Sequence, residues 1–331
     1  MQTTAQTTAQ TTGQTTADAR ITTQRLGFVD VLAEGWRHYA RNFVPILLII
    51  LCVNIPITVV SALVSTPRVA GMAAGDLGAS MRQGLVALLA GLVAYISVLA
   101  IARAVEDSVL GRVVSARQSL WHGLKRWPAA LGSLFLLWLL LLAVLVPISI
   151  VSMLAFFVLS ILFSASMGSE VAIVGLLLAM VGFFVVFAAI FVPAVAIMVY
   201  LGFYPYASSL RRQGPLAALR YSWNLVRGQA LRVFGYQFGI GLLTGFVSLC
   251  VLMFAFAGGV LTAIAPDLAA PIRIVIVVAQ LLGSIIGSLF TVMLIVFFLN
   301  LDYLKHPLPA VIPAEGPAVV LTEAPPANRT A

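Results

Sequence analysis

The sequence predicts an all-α polytopic membrane protein: about six transmembrane helices, built as three repeats of an interfacial amphipathic helix plus a helical hairpin. Three observations predict it. The 331 residues are 61% hydrophobic and only 9% charged, with a mean hydropathy of +1.08. Ordinary globular chains carry roughly 25% charged residues, and a soluble fold cannot hide this much apolar surface. Apolar runs recur at the roughly 20 residues needed to cross about 30 Å of hydrocarbon. A Trp-bearing, Arg-rich stretch leads into a pair of such runs three times: Trp36, Trp121 and Trp223 are each followed, four or five residues on, by Arg41, Arg126 and Arg227.

The chain opens on a tail, residues 1–25, in which QTTA recurs over residues 2–17. Thr and Gln cannot build a core, so this tail reads as disordered and cytoplasmic. It lacks the basic start and immediate apolar core of a secretory signal. The membrane domain follows over 26–305, with repeats at about 26–105, 106–210 and 211–305. Residues 306–331 are rich in Pro and Ala and read as a second disordered tail. Asn328-Arg329-Thr330 fits a glycosylation sequon, but its expected cytoplasmic side makes the match a coincidence.

In the first repeat Phe28, Val31, Leu32, Gly35, Tyr39 and Phe43 fall on one helical face, with Asp30, Glu34, Arg37 and Arg41 opposite. Spans at about 43–64 and 84–104 follow. In the second, Val113, Ala116, Leu120, Leu124 and Trp127 oppose Gln118, His122, Lys125 and Arg126. Its spans, about 129–163 and 171–204, are longer than a bilayer needs and must tilt, kink or project. Pro147 and Pro193 are the natural kink points. In the third, Leu216, Leu219, Trp223, Val226 and Ala230 form the stripe, flanked by Arg220 and Arg227. Spans at about 233–260 and 272–301 complete it. Each amphipathic stretch suits a helix lying in the headgroup layer.

Basic residues set the orientation. Arg25, Arg37, Arg41, Arg103, Arg112, Arg117, Lys125, Arg126, Arg211, Arg212, Arg220, Arg227, Arg232 and Lys305 fall on one side; Arg68, Arg82 and Arg273 fall on the other. Both termini are therefore expected in the cytoplasm, with the protein multi-pass in a bacterial inner membrane. The net charge of +8 is explained by this belt rather than by nucleic-acid binding.

Candidate residues follow from these patterns. Trp36, Arg37, Arg41, Trp121, Lys125, Arg126, Arg220, Trp223 and Arg227 are candidates for contact with lipid headgroups. A guanidinium forks onto phosphate oxygens, although snorkelling alone also accounts for any single Arg. Arg103, Glu106 and Asp107 are spaced for intrahelical ion pairs and form a polar-cluster candidate. Gly235, Gly239, Gly241, Gly245, Gly283 and Gly287 fall at GxxxG spacing and are expected at close helix contacts. Asn54, Gln237, Gln280 and Asn300 are the polar side chains within or near the ends of the spans. Cys52 and Cys250 make no CxxC, and His38, His122 and His306 make no HExxH. No metal, cofactor or catalytic set is therefore expected.

Three segments resemble a known family. They are residues 28–43, running from Phe28 through Trp36 to Phe43; Glu106 to Arg112 with Gly123 to Pro128; and Gly214 to Gly228 around Ser222-Trp223. They look like the membrane domain attached to some glycerophosphoryl diester phosphodiesterases and the related YciC-like proteins. The resemblance covers about residues 26–305. In those enzymes catalysis lies in a separate barrel domain, for which this chain has no counterpart, so the resemblance implies an accessory module and transfers no catalytic residue. The expectation is a non-catalytic scaffold or lipid-contacting module of phospholipid or envelope processes. Its expected partners are anionic membrane phospholipids, with a protein partner or a homo-oligomer open. A transporter or lipid-translocating channel is the alternative, motivated by the repeats and the Pro-bearing long spans. A membrane-embedded enzyme is the third, and would have to draw on Arg103, Glu106, Asp107 and Tyr204.

Overall fold

The computed structural model describes residues 21–64, 77–165, 172–265, 267 and 269–307. Most of both tails and the tips of the first two hairpins, with Arg68, lie outside the described residues. The helices are α1 (Phe28–Arg41), α2 (Phe43–Val64), α3 (Leu77–Val109), α4 (Ala116–Ala165), α5 (Ala172–Leu201), α6 (Tyr204–Leu210), α7 (Pro215–Val226), α8 (Ala230–Ile264) and α9 (Ala269–Lys305). Six of them, α2, α3, α4, α5, α8 and α9, contain segments long and apolar enough to span a bilayer. The protein is an all-α polytopic membrane protein.

The second repeat departs from the expected plan. Its amphipathic stretch is not a separate interfacial helix; it runs unbroken into the span as the 50-residue α4. At 1.5 Å per residue that is about 75 Å of helix, well beyond a bilayer of roughly 40–45 Å with headgroups. The cause lies at one position of the repeat. Asn42 separates α1 from α2, its Nδ2 donating to the His38 carbonyl at 3.0 Å. Gln229 caps the start of α8 after Gly228, whose φ is 90°. The matching residue in α4 is Ala130, a strong helix former, and it is fully buried. Pro128 and Pro147 lie within the helix without ending it.

The repeats are in register through small residues rather than through Trp. Gly27, Ser115 and Gly214 start the three amphipathic helices, and each carbonyl accepts from the amide one turn on, at Val31, Ser119 and Ala218. These three are buried, as are Gly35, Gly123 and Ser222 one turn further. On this register Trp36 matches Trp223, while Trp121 falls nearly one turn early. A Cβ on Gly35 would meet Met293 Cγ at 2.6 Å, and one on Gly123 would meet the Ile96 carbonyl at 2.9 Å. One turn beyond, Tyr39 Oη donates to the Ile285 carbonyl at 2.9 Å, and Trp127 Nε1 donates to the Leu92 carbonyl at 2.7 Å. The two contacts are the same interaction, made once against α9 and once against α3.

This register closes a ring. α1 bridges α9 and the end of α3, where Ser108 Oγ lies 2.9 Å from His38 Nδ1. The start of α4 bridges α3 and α6, with His122 Nε2 at 3.1 Å from the Ser209 carbonyl. α7 bridges the α5–α6 junction and α9: Ser222 Oγ donates to the Tyr200 carbonyl, and Lys305 Nζ donates to the Asn224 carbonyl. Each amphipathic helix thus spans the ends of two outgoing helices, and all three sit at the basic end of the bundle. The main core lies there too, in residues 99–109, in α6 and in residues 292–303. The far halves of the helices keep their apolar side chains outward, such as the stacked Phe183, Phe187 and Phe191 of α5, which suits lipid as solvent.

Packing begins before residue 26. Ile21 and Leu26 are buried in the main core, so residues 21–25 belong to the domain rather than to the tail.

Candidate functional site

The site begins on the last turns of α3. Arg103, Glu106 and Asp107 share one helical face by spacing, and the expected pairs form: Arg103 Nη1 to Glu106 Oε2 at 2.9 Å and Nη2 to Asp107 Oδ1 at 3.0 Å. Arg112 approaches Asp107 from the following link at 3.7 Å. The structure then adds groups that spacing could not supply. Arg211, at the end of α6, donates through Nη1 to Glu106 Oε1 at 2.9 Å. Through Nε and Nη2 it forks onto Asp302 of α9. Tyr221 of α7 donates to the other Asp302 oxygen, and His306 Nδ1 lies 3.2 Å from that oxygen. The His306 ring also stacks on Tyr221 at 5.6 Å.

This network sits at the meeting point of the outgoing helices. With the repeats starting at Gly27, Ser115 and Gly214 rather than at the expected bounds, each contributes charge: α3 from the first, Arg211 from the second, Asp302 from the third. Arg103, Arg112 and Arg211 balance Glu106, Asp107 and Asp302. The Asp302 side chain is 1% exposed and that of Glu106 is 6% exposed. A buried carboxylate survives only if paired and hydrogen-bonded, and the Arg211 guanidinium, held on Glu106 Oε1 and Asp302 Oδ2 at once, meets that need. Burial of Arg211 alone would lower its proton affinity, but Asp302 and then Glu106 outweigh it and hold it above the usual arginine range. Burial and the bond to Asp302 push the Tyr221 phenol up. The arrangement ties the ends of α3, α6 and α9 together.

A polar chain lies beside it. Ser108 Oγ accepts from Asn42 Nδ2 at 2.7 Å and sits against His38 Nδ1. His38 is buried on the packed face of α1, and burial, then Arg37 and Arg41, lower its pKa to about 4. The imidazole is therefore neutral at neutral pH.

The headgroup candidates stand on the outer faces of the amphipathic helices. Trp36, Trp121 and Trp223 are 58%, 68% and 46% exposed. Arg37, Arg41, Lys125, Arg220 and Arg227 are exposed, and Arg126 is half-buried. Arg37 pairs with Glu34, and the Trp223 ring stacks on Tyr200 at 4.3 Å. The apolar stripes are rotated from expectation in two helices. Val113, Leu124, Leu216 and Trp223 are exposed, while Ser119, Gly123, Ala218, Ser222 and Leu225 are buried, because close helix contact selects small residues over large apolar ones.

The GxxxG candidates divide. Gly239 faces the Phe28 ring and Gly283 faces Val251, whereas Gly235, Gly241, Gly245 and Gly287 face open space. The close approaches fall also at Gly35, Gly123, Gly132, Gly202 and Gly258. Asn300 is buried and hydrogen-bonds the segment before α1; Gln237 lies against Gly202, and Gln280 is exposed. Cys52 and Cys250 are free thiols on outward faces. Among the described residues, no group of three or more His, Cys, Asp or Glu side chains is placed to hold a metal ion. Arg211, Tyr221, Asp302 and His306 were missed as site residues. The available signal was Asp302, an ionisable residue ending an apolar run.

Comparison with known proteins gives one match. The family model described as "Domain of unknown function (DUF7847)" matches residues 31–301. No curated protein matches, and no solved structure matches.

Proposed function

The chain belongs to the family described as "Domain of unknown function (DUF7847)", and on its own geometry we propose that it is a non-catalytic module of a bacterial inner membrane, with both termini cytoplasmic and its basic end against anionic phospholipid headgroups. One observation carries this reading. The three amphipathic helices turn small and apolar residues into the ring and hold Trp36, Trp121, Trp223 and a belt of basic side chains outward. Interfacial Trp favours the headgroup zone, and each basic residue near an anionic surface contributes about 1 kcal/mol. The closed ionic network supports a scaffolding role, since its carboxylates are occupied by arginine. The motif resemblance to the membrane domain of glycerophosphoryl diester phosphodiesterases points the same way, toward an accessory part of phospholipid or envelope processes.

The test is purification in mild detergent followed by native mass spectrometry. The expected result is retained anionic phospholipid, with affinity reduced roughly a hundred-fold when Arg41, Arg126 and Arg227 are all replaced by Gln. Unchanged retention in that variant overturns the belt as the lipid contact. A protein that retains neither lipid nor partner overturns the module reading and moves the function to transport, to be assayed in liposomes.

A further inference from the structure

Two joins of the ring are covalent. Residues 110–115 carry the chain from α3 into α4, and residues 211–214 carry it from α6 into α7. Both turn through a residue of positive φ, Gly111 at 68° and Arg212 at 54°. The third join differs in kind, because α1 packs on α9, from the far end of the chain. There the segment of residues 21–27 stands in place of a link.

That segment is held by its backbone. Asn300 Nδ2 donates to the carbonyls of Ile21 at 2.8 Å and Gln24 at 2.7 Å, and its Oδ1 accepts from the Leu26 amide at 3.3 Å. The Leu26 carbonyl accepts from Arg232 Nη2 at 2.7 Å and from Tyr236 Oη at 2.8 Å. Ile21 and Leu26 fill the core beneath. The Phe28 ring closes over Gly239 and meets Tyr236 edge-on at 5.4 Å. Gly27 then enters α1 at φ −71°, ψ 169°, the geometry with which Gly214 enters α7 at φ −70°, ψ 170°. The docked segment therefore delivers α1 to its place as a covalent link delivers α7.

We infer that Asn300, Arg232 and Tyr236 form a binding site for the backbone of residues 21–27, and that this segment is a releasable latch at the one junction between repeats that no short link makes. Parting α1 from α9 requires that these hydrogen bonds, the apolar seat of Ile21 and Leu26, and the contacts of Gly35 with Met293 and of Tyr39 with Ile285 and Ser288 be released, with no covalent link to stretch. Parting either other join would stretch a link of a few residues. Of the three junctions between repeats, this is the one that can part without stretching a short link. This inference stands independently of the lipid reading.

The test is hydrogen exchange of the full chain in lipid nanodiscs, read at the amides of residues 31–39 of α1 and of 218–226 of α7. Two variants are used: Asn300→Ala, and the pair Arg232→Gln with Tyr236→Phe, which leaves α9 intact should the first fail to fold. The expected result is exchange in α1 raised about ten-fold by loss of these hydrogen bonds, with α7 unchanged. Unchanged exchange in α1 overturns the latch, and so does an equal rise in α1 and α7, which would mark a general loss of stability.

Discussion

His38 lies on the packed face of α1, between Ser108 of α3 and the carbonyl contact of Asn42, with Arg37 and Arg41 on its own helix and the arginine-bound Glu106 and Asp107 immediately before Ser108. Burial first, then the two arginines, bring its pKa down to about 4 from 6.5. The unfolded chain therefore binds more protons between these values, and stability rises with pH across that window. The contribution is complete above about pH 6.5 and is lost as pH falls toward 4, on the order of 3 kcal/mol. The expected outcome is a melting temperature in detergent that falls over this range, and falls less steeply in His38→Gln. The difference between the two slopes isolates His38 from the carboxylates. Parallel slopes would remove His38 as the cause.

At the scale of the element, helix contact is decided by which glycines meet backbone. A Cβ on Gly123 would meet the Ile96 carbonyl at 2.9 Å and the Ala100 amide nitrogen at 3.1 Å, neither of which can swing aside. Gly241 faces open space. Gly123→Ala is expected to destabilise by about 1–3 kcal/mol, while Gly241→Ala is expected to leave the melting temperature unchanged or slightly raised. Thermal unfolding of the two variants side by side checks this. The pair also marks what the sequence could convey. Spans were legible because apolar length is a local property, and the Arg103 pairs with Glu106 and Asp107 were legible because they lie within one turn. GxxxG spacing names residues on one face of a helix but not which face meets a neighbour, so Gly239 and Gly241 could not be ranked, and Gly123, outside any such pair, was not named among the contacts. The break between amphipathic stretch and span was hidden for a similar reason. It depends on Asn42, Gln229 and Ala130 at one repeat position, and the Trp residues suggested a different register.

Across the whole molecule, Arg211 draws the three repeats together, and its partners Glu106 and Asp302 are far away in sequence. No periodicity links such residues, which is why this half of the site was not legible. Arg211→Ala leaves the buried Asp302 without its arginine and Glu106 with Arg103 alone, and breaking such a buried pair costs about 3–5 kcal/mol. Arg211→Lys keeps the charge but loses the fork onto Asp302, so an intermediate loss is expected. Melting temperatures of the two variants give the order, and a lysine variant no better than alanine would show that geometry rather than charge is what matters. The ring also has a history in time. The ribosome delivers α1 well before its seat on α9, since Ile285 follows Tyr39 by 246 residues and Met293 and Asn300 come later still. Until then Val31, Gly35 and Tyr39 have only half of their packing, and the headgroup layer is the place where such a helix can rest. The first stretch of the membrane domain to be made is thus the last to be seated.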